Sequence, residues 1–170
     1  MSCRRILVVG CPGGGKSTLA RRLGDATGLP VVHLDKLFWT VGWVERDKME
    51  FLRDLDAALQ GDAWIIDGNY SGTLARRLEL CDLVVYLDIP RVRCLLGIVR
   101  RVLANYGTTR PDMGEGCPER FDLEFLRYVW DFERDHGARQ KALIAGSGKP
   151  VIFVRDRREI EGVIEKVAGM

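Results

Sequence analysis

Short apolar runs alternate along this chain with longer stretches in which apolar residues return every three or four positions. The first run, Arg4–Val9, is brief and rich in β-branched residues, which predicts a buried strand. Lys16–Thr27 then carries Leu19 and Leu23 on one face and meets Gly28 just past its end, which predicts a helix. The alternation continues, with strands predicted at Val31–Leu34, Ala63–Ile66, Leu83–Leu87 and Val151–Val154. Helices are predicted over Arg46–Leu59, Leu74–Leu80 and Arg91 to about Asn105. In the first of these, Met49, Leu52, Leu55 and Leu59 form the expected apolar face. The stretch "YGTTRPDMGEGCPER" breaks the pattern, helix resumes near Asp122 toward Ala145, and a last helix follows the fifth strand. Five strands alternating with helices predict an α/β fold, a parallel sheet covered on both faces.

Composition narrows the picture only slightly. A length of 170 residues, 46% of them hydrophobic, suits one domain over 1–170 with a sizeable core. A net charge of +2 gives no bulk electrostatic case for nucleic acid. No apolar run approaches the ~18 residues that a bilayer span needs, so no membrane partner is expected. The five cysteines, Cys3, Cys11, Cys81, Cys94 and Cys117, are scattered without a C-x-x-C pair. Neither a disulfide framework nor a zinc site is expected, and a reduced cytoplasm is the simplest setting.

Chemistry first appears in "VVGCPGGGKSTLARRL". Gly10-x-x-x-x-Gly15-Lys16-Ser17 lies between a predicted strand and a predicted helix, the placement of a phosphate-binding loop. A triphosphate needs many donors within a small radius. The bare backbone of Gly13, Gly14 and Gly15 lets successive N–H groups turn inward, and the helix start adds its positive dipole end. Lys16 is placed to reach the β- and γ-phosphates of ATP, and Ser17 to offer its hydroxyl to Mg²⁺, with Thr18 beside it.

"GCPGGGKST" resembles the loop of adenylate-kinase-like P-loop kinases, and the resemblance extends through "HLDKLFW", "WIIDGNY", "DLVVYLDIPR", "RPDM" and "ERFDLEFLRYVWDF". Together these motifs resemble the bacterial topology-modulation (FlaR-like) group of adenylate-kinase-related proteins over nearly the whole chain. The resemblance implies a three-layer α/β/α P-loop NTPase fold, with a five-stranded parallel sheet in order 2-3-1-4-5. It also implies an ATP site, an acceptor-side insert over 34–60 and a mobile lid over 106–121. The group's name suggests a role connected with DNA topology.

By the same resemblance, Asp67 of the D-G motif is a magnesium-side acid acting through water, the alternative being a turn cap. Asp35, after the second strand, corresponds to the acid that shikimate- and gluconate-kinase relatives place near the acceptor hydroxyl, the alternative being a helix cap. His33, within a strand, reads as structural. Trp39 and Trp43 either stack on a flat ring or pin their expected surface loop to the core. Arg101, Arg110 and Arg120, in and around the lid-like segment, are the expected charge stabilisers of phosphoryl transfer. Arg155 and Arg157 fall in the loop that contacts the base in related folds. Gly97 departs from the pattern, because related enzymes carry an arginine at mid-helix. Arg93 or Arg100 is the expected stand-in, just as Arg76 or Arg77 is for the arginine absent from Asp67-Gly68-Asn69-Tyr70-Ser71.

Three functions fit these residues. The leading one is ATP-dependent phosphoryl transfer to a small-molecule acceptor, with nucleosides and nucleotides among the candidates. The others are a nucleotide-binding regulator of DNA topology with little turnover, and an ATPase. Lid-like arginines favour transfer, since closure keeps water from the γ-phosphate. No helix-turn-helix or dense basic stripe supports direct contact with DNA, and monomer and dimer remain equally open. Lys16→Ala is expected to abolish ATP-dependent transfer with the circular-dichroism spectrum unchanged; full activity in that variant would remove the site.

Overall fold

A computed structural model describes residues 3–170. Its main sheet is built from β1 (Arg5–Gly10), β2 (Val31–His33), β5 (Trp64–Asp67), β6 (Leu83–Leu87) and β7 (Val151–Val154). All neighbouring strands run parallel, in the order β2-β5-β1-β6-β7. Counted within this sheet alone, the order is 2-3-1-4-5, as expected. The other two strands, β3 (Trp39–Thr40) and β4 (Val44–Glu45), pair antiparallel as a separate hairpin.

Period-two alternation along β1 explains the layers. Ile6 and Val8 enter one apolar cluster with Leu19 and Leu23 of α1 (Lys16–Thr27), Ile98 of α5 (Arg91–Asn105) and Val163 of α8 (Ile160–Ala168). Leu7 and Val9 enter another with Leu55 of α3 (Lys48–Leu59), Leu74 of α4 (Leu74–Leu80) and Ile144 of α7 (Ala138–Gly146). Each fully buried aliphatic side chain here stabilises the fold by about 2 kcal/mol relative to exposure. Because β1 is covered on both faces, its sequence is uniformly apolar instead of alternating.

Three expectations change. The predicted loop holding Trp39 and Trp43 is a short helix, α2 (Leu34–Phe38), followed by the hairpin, with Trp43 in the left-handed region at φ 64°. The apolar face of α3 is Phe51, Leu55 and Leu59, while Met49 is 72% exposed. Met49 sits in the first turn behind Asp47, whose carboxylate accepts its amide at 2.9 Å, so that turn projects past the core. The long helix predicted after Asp122 begins as α6 (Leu123–Phe132), capped by the Asp122 carboxylate on the Phe125 amide at 2.9 Å. It passes through a π-helical turn at Glu133–Gly137 before continuing as α7.

No helix among the described residues is long and apolar enough to cross a membrane. The chain leaves β1 toward β2 at one edge and leaves the neighbouring β6 toward β7 at the other, and open α/β sheets bind ligands at the carboxyl ends beside such a reversal.

Candidate active site

The loop from Gly10 to Gly15 joins β1 to α1. Gly15 has φ +105° and open space where a Cβ would stand, and α1 begins with no capping side chain and no acid in its first turn. Its amides and dipole end are therefore uncontested by the protein's own carboxylates, an arrangement that suits anionic phosphate. Among the described residues, the Ser17 and Thr18 hydroxyls make no side-chain hydrogen bond; Ser17 is half-buried and Thr18 exposed. Lys16 bends back over the loop and donates to the Cys11 carbonyl at 3.2 Å. Burial pushes its pKa down, while Asp67 and Asp35 pull it up. A cation held this way with its charge poorly solvated is prepared to meet phosphate oxygen.

Asp67 ends β5 in register with Val8 of β1 and His33 of β2. Its carboxylate accepts from His33 Nδ1 at 2.5 Å, and both side chains are buried. His33 is thus structural in a functional place, since it fixes the acid beside the loop. Asp35, half-buried in the first turn of α2, caps no amide and instead accepts the Tyr70 hydroxyl at 2.7 Å. Burial raises its pKa; Tyr70 lowers it by hydrogen bonding, Asp67 raises it further, and Lys16 and Arg110 oppose the rise. Lys16, Asp35 and Asp67 therefore share one electrostatic neighbourhood.

Arg77 shapes the turn between these acids. Its fully buried guanidinium donates to the carbonyls of Gly68 at 2.9 Å, Tyr70 at 3.3 Å and Asn69, and to the Thr73 hydroxyl at 3.2 Å. Burial pushes its pKa down to about 10, so it stays charged near neutrality. Arg77 is thus no phosphate ligand, and Arg76 is paired with Asp56 at 2.9 Å. Asn69 turns its Oδ1 to the Gly10 amide at 3.2 Å, joining this turn to the phosphate-binding loop. Tyr70 adopts φ 33°, held against Phe38 and Phe51 with ring centroids 4.9 and 5.2 Å away. Nothing in the spacing of "WIIDGNYSGTLARR" announced these contacts.

The arginines divide into groups. Arg101 and Arg110 converge on buried Glu119, Arg101 at 3.1 Å, and Arg110 also pairs with Asp112 at 2.5 Å. Arg120 is exposed and lies over the Trp43 ring, 5.6 Å from its centroid. Segment 106–121 docks on the hairpin. Gly42 N–H donates to the Gly116 carbonyl at 2.9 Å, Trp43 Nε1 to Pro118 at 3.0 Å, and the Cys117 thiol to Thr40 at 3.1 Å. Trp43 therefore pins a loop, although the loop it pins is the far one. Between segment and hairpin lies a cleft of ≈ 560 Å³ whose lining includes Lys36, Trp39, Arg46 and Arg110.

Arg155 is exposed, with Nε 3.9 Å from Asp88, and Asp88 is held by Lys141 at 2.7 Å. Arg157 reaches the phosphate-binding loop itself, donating to the Gly13 carbonyl at 2.8 Å. It passes over Gly97, where a Cβ would come within 2.5 Å of both the guanidinium and that carbonyl. Gly97 is therefore a notch for an arginine from a different part of the chain. Arg93 instead pairs with Asp156 at 2.6 Å, and Arg100 points outward, exposed.

No family model and no curated protein matches this chain. Solved structures do. It is similar to shikimate kinase from Acinetobacter baumannii, solved in complex with shikimate, at 16% identity and a TM-score of 0.60, over 99% of this chain and 94% of that one. Shikimate kinase from Bacteroides thetaiotaomicron gives 17% identity and 0.60 over 98% and 96%. An unliganded sugar kinase from Janibacter sp. HTCC2649 gives 18% and 0.52 over 98% and 93%. The fold is that of shikimate-kinase-like P-loop proteins. At these identities the likeness is one of fold, and the site stands on its own geometry.

Gly97→Ala tests the notch. Alanine favours the helix by about 1 kcal/mol over glycine, but its Cβ would stand 2.5 Å from the Gly13 backbone carbonyl, so the melting temperature is expected to fall. Displacing Arg157 is expected to weaken ATP binding by calorimetry about tenfold, roughly 1.4 kcal/mol. Unchanged affinity would show that the Arg157 contact does not shape the loop.

Proposed function

We propose that this chain is a P-loop kinase that transfers the γ-phosphoryl group of ATP to a hydroxyl of a small, anionic acceptor. The reading is carried by the convergence of Lys16, Asp35 and Asp67 at the mouth of a glycine loop that opens a helix. A glycine loop alone would serve a hydrolase or a switch equally well. A half-buried, tyrosine-held carboxylate across from the lysine suits an acceptor hydroxyl.

In this reading the backbone amides of Gly13, Gly14 and Gly15 cradle the phosphates, Lys16 meets the β- and γ-oxygens, and Thr18 supports the cradle. Ser17 and Asp67 are the residues that would hold Mg²⁺, and their oxygen donors suit that hard cation. When bound, the ion offsets charge on the β- and γ-phosphoryl oxygens. Asp35 orients the acceptor hydroxyl and takes its proton as the oxygen–phosphorus bond forms, and a raised pKa brings this base closer to the working pH. Segment 106–121 is the lid, and residues 34–60 form the acceptor side of a single domain. Glu119 and Asp112 hold Arg101 and Arg110 in place until γ-phosphoryl charge competes for them, with Arg120 carried on the same lid. Arg155 and Arg157 stand at the base end.

The cleft under the lid supports the acceptor class. Arg46 is paired there with Asp54 at 2.7 Å and Arg110 with Asp112 and Glu119, which leaves Lys36, in no ion pair among the described residues, as the cation offered to an acceptor, and Trp39 supplies a flat apolar side. The names of the similar structures, shikimate kinase and sugar kinase, agree with a small hydroxyl-bearing acceptor.

The decisive assay follows γ-labelled ATP across hydroxy acids, sugars, nucleosides and nucleotides. Label is expected on an anionic hydroxyl compound, and transfer to water alone would sink the reading. Asp35→Asn is expected to lower kcat by roughly 10²–10⁴-fold, the usual contribution of a general base, with ATP affinity unchanged. Loss of ATP affinity alone would take the acceptor role from Asp35.

Activity should rise with pH as Asp35 ionises, with an acid limb above the ordinary carboxylate value near 4. Removing the hydroxyl in Tyr70→Phe takes away a contact that lowers this pKa, so the limb should move to higher pH. A limb that stays in place would assign it to another group.

A further inference from the structure

Helix α5 is apolar on two faces. Cys94, Ile98 and Val102 enter the core, as a helix covering a sheet requires. A separate stripe, Val92, Leu96, Val99, Leu103 and Tyr106, repeats at intervals of four, three, four and three residues, the spacing of a helix–helix seam. Core packing does not account for it, because Val92, Leu96, Leu103 and Tyr106 are 55, 58, 70 and 68% exposed.

The stripe continues onto α6. Arg91 lies over the Trp130 ring at 4.0 Å at one end of the helix pair, and the Tyr106–Glu119 bridge brings the other ends together. Trp130 and Leu123 are themselves 45 and 79% exposed. Eight of the fourteen exposed large apolar side chains among the described residues lie on α5, α6 or the positions flanking them. Gathered on two neighbouring helices, they are more apolar surface in one place than scattered single exposures on a monomer explain.

Charge points to the same occupant. Helix α5 bears four arginines and no acid. Arg100 on its outer side and Glu124 on α6 are exposed, and neither forms an ion pair among the described residues. Laying α5 of one molecule across α6 of another offers each of these groups its opposite charge. A two-fold axis repeats the arrangement, so one patch serves both partners.

We propose that the α5–α6 face is a homodimer interface, with a second copy of this chain seated on the seam of Leu96, Leu103 and Trp130. Helices α5 and α6 flank segment 106–121 on both sides, so pairing would brace the two segments against each other.

Light scattering coupled to size exclusion tests this on the full chain at tens of micromolar. The wild type is expected at twice the chain mass, and Leu96→Glu/Leu103→Glu at the chain mass with an unchanged circular-dichroism spectrum and, with the partner's stabilisation lost, a lower melting temperature. Arg100→Glu is expected to weaken the dimer, and adding Glu124→Arg to restore it, a rescue that stands even if the glutamates impair folding. A monomeric wild type, or a dimer indifferent to all four substitutions, would overturn the proposal.

Discussion

A guanidinium with no access to solvent organises the turn that follows β5. Arg77 carries its charge into that turn and is compensated there by the carbonyls of Gly68, Asn69 and Tyr70. An unpaired buried charge would cost several kcal/mol, so the turn must keep those carbonyls aimed inward. Three consequences follow from that one requirement. Asp67 is presented at the end of β5, Asn69 faces the Gly10 amide, and Tyr70 is twisted until its hydroxyl meets Asp35. The glycine loop and the Asp35 carboxylate are thus linked through one buried cation.

The aromatic cluster completes this arrangement. Phe38 and Phe51 press on Tyr70 from α2 and α3, and Trp39 and Trp43 extend the cluster into the hairpin with centroids 5.6 Å apart. The hairpin then holds segment 106–121. Packed rings thus run from α3 through α2 and the hairpin to the segment that carries Arg110.

Electrostatic economy is also visible in the arginines. Arg101 and Arg110 sit 3.1 Å and closer to Glu119, a like-charged pair made tolerable by a shared carboxylate. Arg157, from beyond β7, occupies the space that Gly97 leaves on α5. Positive charge near the loop is thus supplied from an unexpected part of the chain.

Local chemistry accounts for what was legible in the residues alone. A phosphate-binding loop is contiguous, and its requirements for glycine, lysine and a hydroxyl next to a helix start are written in adjacent letters. The same holds for the strand and helix alternation, because periodicity is a property of neighbours. Residues far apart in the chain were another matter. The pairing of His33 with Asp67 depends on β2 lying beside β5, and that of Tyr70 with Asp35 on a left-handed turn. Likewise Arg157 reaches Gly13 only because the turn after β7 lies beside Gly97 of α5. Hydrogen bonds are short and directional, so sequence can nominate a donor and an acceptor, but only the fold brings them within 3 Å.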